Sequence, residues 1–180
     1  MRKIVSLIDR ELKWSQPRAL KQEYALHAGD ELAATLIFPN SLRCAATGQS
    51  ADGSWDFNRE GPFHTRIVVR NTGSPEEIAA FKKPAWKACG ILELPDGRTY
   101  RTASNFWASR YCFIDSEEQP IVDLKNCGVL HRAANVTIAG RAAAIPELPM
   151  MVMLAWYLDV LMQNDAVAVS AVIGAGAVTG

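Results

Sequence analysis

The sequence predicts a mainly β, antiparallel domain that encloses its own apolar C-terminal helix, and three observations carry that reading. From about Glu23 to Ile138, short runs of alternating character are separated by turn residues, the sequence form of successive hairpins. From Met150 to Met162 the chain is apolar on every side except at Asp159, and a helix apolar all round needs apolar surroundings all round. Length then decides which surroundings: residues 150–162 rise only about 20 Å in a helix, against roughly 30 Å of bilayer hydrocarbon. Asp159 would add about 2.5–3.5 kcal/mol near a bilayer centre. The segment is assigned to a protein core.

The strands follow from alternation and punctuation. Phe63, Thr65, Ile67 and Val69 would share one strand face, leaving His64, Arg66, Val68 and Arg70 on the other. Gly29-Asp30, Asp52-Gly53, Asn71-Thr72-Gly73 and Asp96-Gly97 offer the positive φ that tight hairpin turns require. Asp96-Gly97 predicts a two-residue turn pairing Ile91-Leu92-Glu93-Leu94 with Thr99-Tyr100-Arg101, and a similar turn joins the strand before Asp52 to Trp55-Asp56-Phe57. Asp115 to Pro120 separates Tyr111-Cys112-Phe113-Ile114 from Ile121-Val122-Asp123-Leu124 as another hairpin. The spacing yields about eight to twelve short strands, enough for a closed or nearly closed barrel with few free edges.

The pattern changes at Ala142. Pro146 and Pro149 suit the first turn of a helix, where backbone N–H groups lack partners, and Glu147 favours that end electrostatically. The helix is expected over about 146–163, with Gln163-Asn164-Asp165 as a polar stop and the small, apolar 166–180 as a frayed tail or added edge strand. Residues 1–165 form the predicted domain. Burying Met151, Val152, Leu154, Trp156, Leu158 and Leu161 contributes about 1.5–3 kcal/mol each. Asp159 then has to reach water, a basic partner or polar backbone.

Composition narrows the function classes. Lys plus Arg equals Asp plus Glu, for a formal net charge of +0, so no long-range field draws the whole molecule to nucleic acid or to an anionic membrane, although a local basic patch remains open. The Met1 to Ile8 stretch is ended by Asp9, Arg10 and Glu11 too early for a signal peptide, which predicts a cytoplasmic chain. Cys44, Cys89, Cys112 and Cys127 form no C-x-x-C pair, and His27, His64 and His131 lack ligand spacing, so neither metal nor cofactor is predicted. The thiols are expected to be reduced, small apolar side chains.

Motifs for catalysis fail one by one. Gly48-Gln49-Ser50-Ala51-Asp52 lacks the final glycine of a nucleophile elbow, no phosphate loop occurs, and Gly174-Ala175-Gly176 has too little chain after it for a dinucleotide site. Glu76-Glu77 and Glu117-Glu118 read as solvated turn residues. The grouping with physical promise is basic and aromatic: Arg66, Arg70, Lys82, Lys83, Trp86, Lys87, Arg98 and Arg101. Such side chains suit phosphate-bearing headgroups, but more often they keep strand edges and loops soluble and prevent edge pairing. Trp86, Phe106 and Trp107 read as core or barrel-end packing more than as membrane anchors.

Several segments together resemble a known family. They are Trp14-Ser15-Gln16-Pro17, Ala51-Asp52-Gly53-Ser54-Trp55, Asp96-Gly97-Arg98-Thr99-Tyr100 followed by Ser104-Asn105-Phe106-Trp107, and Ile145-Pro146-Glu147-Leu148-Pro149 leading into the Trp156-Tyr157 helix. From Leu12 to Asp165 the chain resembles the tubby C-terminal-like superfamily, especially its bacterial LURP-one-related and scramblase-like members. The resemblance implies a closed antiparallel barrel of twelve strands around a central hydrophobic C-terminal helix. It also implies association with membranes, since tubby domains bind phosphoinositide headgroups through basic side chains and scramblase relatives act at membranes. No phosphoinositide motif of that family has a counterpart here.

The expected function is a non-catalytic binding module that recognises anionic phospholipid headgroups, or a protein partner, at a membrane surface. Two alternatives stay open: a small-ligand carrier or enzyme with its site at a barrel mouth, and an assembly protein that self-associates through its tail. The sequence leaves the oligomeric state open.

Overall fold

The computed structural model describes residues 1–18, 21–39, 44–60, 65–84, 89–105, 110–128 and 132–176, with 167–176 as backbone only. Twelve strands follow one another: β1 (Leu12–Ser15), β2 (Glu23–Ala28), β3 (Glu31–Ile37), β4 (Ala45–Ser50), β5 (Ser54–Glu60), β6 (Arg66–Asn71), β7 (Glu77–Lys82), β8 (Ile91–Glu93), β9 (Thr99–Ser104), β10 (Arg110–Ile114), β11 (Pro120–Asn126) and β12 (Ala133–Ile138). Each pairs antiparallel with its sequence neighbours, and β1 pairs with β12, so the sheet closes into a barrel. Helix α1 (Leu148–Gly176) follows.

Alternation places one face of each strand inside. On β6, Ile67 and Val69 are buried as expected, and Val68 is buried as well; Phe63 and His64 lie outside the described residues. The interior is filled by α1: every residue from Met150 to Leu161 is buried, Asp159 included. Trp156 stacks on Trp14 with ring centroids 5.7 Å apart and meets the edge of Tyr24, while Tyr157 stacks on Phe38 and Phe57. A Cβ at Gly48 on β4 would run into Met153 and Phe57, so glycine lets the helix lie close to that strand. Among the described residues no helix is long and apolar enough to cross a membrane.

The hairpin chemistry differs from expectation in three places. Gly29, Gly73 and Gly97 have positive φ, but Gly53 does not; there Ser50 Oγ accepts from the Asp52 N–H, and the Ser50 N–H donates to the Gly53 carbonyl. Leu94 and Arg98 are joined by N–H···O bonding, so the β8–β9 loop takes in Pro95 as well as Asp96 and Gly97. Between β10 and β11 the positive φ falls on Glu118, at 62°, in a turn organised by Asp115, whose Oδ1 accepts from the Glu117 and Gln119 N–H groups.

The helix is also longer than the expected 146–163. Gln163, Asn164 and Asp165 do not stop it, because their side chains bond to Asp159, Arg132 and Arg59 rather than to the backbone, and Ala166 onward is rich in alanine, a strong helix former. At its start, Glu147 pairs with Arg98 at 2.6 Å. Strict antiparallel order puts alternate connections at the same end of the barrel. Call the end with the short hairpins 29–30, 51–53, 72–76, 94–98 and 115–119 the turn end, and the other the loop end. Helix α1 enters at the turn end, beside Arg98, and leaves at the loop end, beside Arg59 and Arg132.

The Glu118 backbone generates a prediction. A side chain in the left-handed region costs about 1–2 kcal/mol relative to an allowed one, and the exposed Glu118–Arg101 pair returns no more than about 1 kcal/mol. Glu118→Gly is therefore expected to leave stability unchanged or raise it by up to about 1 kcal/mol, read as the midpoint shift in urea denaturation.

Candidate functional site

Cross-strand register determines which of the predicted cations meet. Arg66 lies directly opposite Lys82, Lys82 opposite Ile91, and Ile91 opposite Arg101. Four strands thus present one outward row, three cations with an isoleucine among them that is 42% exposed. Beneath and beside it is a shallow depression of about 640 Å³ in the outer wall, lined by Arg66, Lys82, Lys83, Ile91, Glu93 and Arg101 among others.

The floor of this depression rests on Gly90. Thr102 Oγ1 accepts from the Gly90 N–H at 2.8 Å, and the Thr102 N–H donates to the Gly90 carbonyl. A Cβ at Gly90 would clash with the Lys82 carbonyl oxygen and the Phe81 ring. Only glycine allows the chain entering β8 to lie this close to the end of β7.

Like charges directly opposite across two strands are unfavourable, and carboxylates relieve them. Arg66 pairs with Glu77 at 2.5 Å and with Glu60 at 3.5 Å, Lys82 with Glu93 at 2.5 Å, and Arg101 with Glu118 at 2.8 Å. Lys83 lines both the depression and the small cavity at the barrel mouth beside Arg59 and Asp165; burial, and then the nearby Arg59 guanidinium, hold its ammonium below the usual lysine range.

The remaining predicted residues separate from this row. Arg70 shares the outward face of β6 but is occupied by Glu60 and by the Pro75 carbonyl. Arg98 stands at the turn end between Asp96 and Glu147, where it fixes the entry of α1, and those two carboxylates push its guanidinium further towards the charged form. Trp86 and Lys87, with Phe106 and Trp107, lie outside the described residues; Pro84 and Cys89, on either side of 85–88, both line the depression.

A second polar cluster, which sequence reading did not assemble, closes the loop end around α1. Asp159 is 1% exposed and accepts from Asn126 Nδ2 at 3.0 Å and Gln163 Nε2 at 2.6 Å. Two amides, with the Arg132 guanidinium nearby, meet the requirement for a polar partner. Burial nevertheless dominates and raises the carboxyl above the usual aspartate range. Arg132 donates to the Val160 carbonyl and to Asn164, Arg59 grips Asp165 with both terminal nitrogens, and Tyr157 donates to the Cys44 carbonyl. A cavity at this mouth, between Arg59, Lys83 and Leu161, is about 10 Å³, room for one water at most. No three His, Cys, Asp or Glu side chains converge among the described residues.

Fold and site together define a twelve-stranded up-and-down barrel threaded by its own helix, with its accessible chemistry on the outer wall and the ends. A protein from Arabidopsis thaliana, solved by X-ray crystallography, is similar over 79% of this chain and 90% of its own, with a TM-score of 0.50 and 13% sequence identity. At that identity the likeness shows a shared fold. No protein-family model and no curated protein matches the sequence.

Asp159 yields a pH prediction. A carboxyl whose folded pKa lies above its unfolded value favours folding when protonated, so this contribution is lost as pH rises from about 4, the unfolded value, through the folded one. Asp159→Asn keeps an acceptor for Asn126, and Gln163 can turn its amide to accept instead of donate. The variant is expected to match the parent in stability below about pH 4 and to equal or exceed it at pH 7, as read by urea denaturation across pH.

Proposed function

We propose that the protein is a non-catalytic module that binds anionic phospholipid headgroups on the outer wall of β6–β9, at a membrane surface. The observation that carries this reading is the row Arg66–Lys82–Ile91–Arg101, which sets cations on both sides of an exposed isoleucine over a shallow depression. Phosphate oxygens suit Arg and Lys donors, and an aliphatic side chain between them suits the apolar layer beneath the headgroups.

The carboxylate partners do not oppose this. An exposed ion pair contributes about 0–1 kcal/mol, comparable to the roughly 1 kcal/mol gained per Lys or Arg near an anionic surface. Glu77, Glu93 and Glu118 are all at least one-third exposed and can swing into water when a phosphate takes their place. The sequence resemblance to tubby-like, LURP-one-related and scramblase-like proteins supports the same reading, since headgroup binding and membrane action are known among them.

Flotation with phosphatidylcholine vesicles, with and without phosphatidylserine, tests it. Retention is expected only with the anionic lipid and is expected to fall as salt rises. Lys82→Glu with Arg101→Glu should weaken retention by about thirtyfold or more, from about 1 kcal/mol per cation lost. Equal retention on neutral vesicles, or none on anionic vesicles at low salt, would reject the reading.

A further inference from the structure

The barrel is neutral in total and polar in arrangement. At the turn end the hairpins carry Asp30, Asp52, Glu76, Asp96 and the Asp115-Glu117-Glu118 group, against Arg98 alone. The N-terminal segment and the link into α1, also at that end, add Arg2, Lys3, Arg10 and Arg141 together with Asp9, Glu11 and Glu147, so acids still prevail. At the loop end the described residues of the connections between β1 and β2, β3 and β4, β5 and β6, β7 and β8, β9 and β10, and β11 and β12 include no Asp or Glu, and they include Arg18, Lys21, Lys83 and Arg132. Three exposed carboxylates stand near this end, each already matched by a cation: Glu23 by Arg18 and Lys21, Glu60 by Arg66 and Arg70, and Asp165 by Arg59; a fourth, Asp159, is buried beneath them and held by Asn126 and Gln163.

Two further facts point the same way. Arg66, Lys82 and Ile91 are the loop-end residues of β6, β7 and β8, so the basic row on the wall adjoins the carboxylate-free connections. Helix α1 leaves the barrel at this end, and no charged residue follows Asp165 in 166–180.

We propose that the loop end is the face that docks on an anionic phospholipid bilayer, with the barrel axis upright on the membrane. This inference rests on the headgroup reading above and adds the pose. A strand of six residues spans about 20 Å, more than two Debye lengths of about 8 Å at physiological salt. Upright, the molecule presents its cations to the lipid and holds its acidic end beyond the reach of the surface potential. Lying on its side it would bring both ends within that reach, and inverted it would be repelled.

The test uses full-length protein and phosphatidylcholine vesicles containing phosphatidylserine. Arg18→Gln with Lys21→Gln, at the loop end but outside the wall depression, should lower the partition coefficient about thirtyfold, from about 1 kcal/mol per cation lost. Glu76→Lys with Glu117→Lys, at the turn end, should change it less than about twofold. Circular dichroism confirms that each variant is folded. If the parent is retained on anionic vesicles but R18Q/K21Q binds equally well, or E76K/E117K binds much more tightly, the upright pose is overturned while headgroup binding stands. If the parent is not retained even at low salt, both fall together.

Discussion

The burial of a helix that is apolar on every side governs the rest of the molecule. Such a helix needs a complete apolar sleeve, and a sheet provides one without free edges only by closing on itself. Barrel diameter grows with strand number, and twelve strands leave room for a helix about 10 Å across together with the inward side chains. The stacks of Trp14 on Trp156 and of Phe38 on Tyr157 fill that space in layers, and Gly48 gives way where Met153 comes closest. Once the interior is occupied, recognition moves to the outside of the sheet and to the connections at its ends.

Much of this was legible in the chain because it rests on local rules. The period of two, the Asp-Gly and Asn-Thr-Gly punctuation, and the length and uniform hydrophobicity of 150–162 are each a property of a few neighbouring residues. The departures occur where distant residues override local preference. Gln163 to Asp165 look like a helix stop until Asp159, Arg132 and Arg59 take up their side chains. Glu118 occupies a left-handed position in a turn that contains no glycine, where the carboxylate of Asp115 accepts from the backbone on either side of it.

The candidate site was legible in part. Residue type identified the cations, but only register shows that Arg66, Lys82 and Arg101 meet, that Ile91 stands among them, and that Arg98 belongs to the opposite end. The partners Glu77, Glu93 and Glu118 come from other strands or turns and give no short-range signal. Asp159 with Asn126 is separated too widely in sequence for any motif to join them. The sorting of charge between the ends is hidden for the same reason: a composition sums over the chain, whereas topology deals alternate connections to opposite ends.

That sorting bears on how a chain of formal net charge +0 could associate with an anionic surface. Non-specific attraction scales with charge within about a Debye length of the surface, so what matters is the balance over one face and not over the molecule. Carboxylates on the wall cancel much of the row Arg66–Lys82–Arg101 at rest, while the connections beside it have none to offer. A lipid surface meeting this end therefore encounters cations whose competing partners lie on strands and on α1, each of them exposed enough to yield. In the proposed upright pose the acidic hairpins stand a barrel length from the surface, so the opposite face would not compete for it.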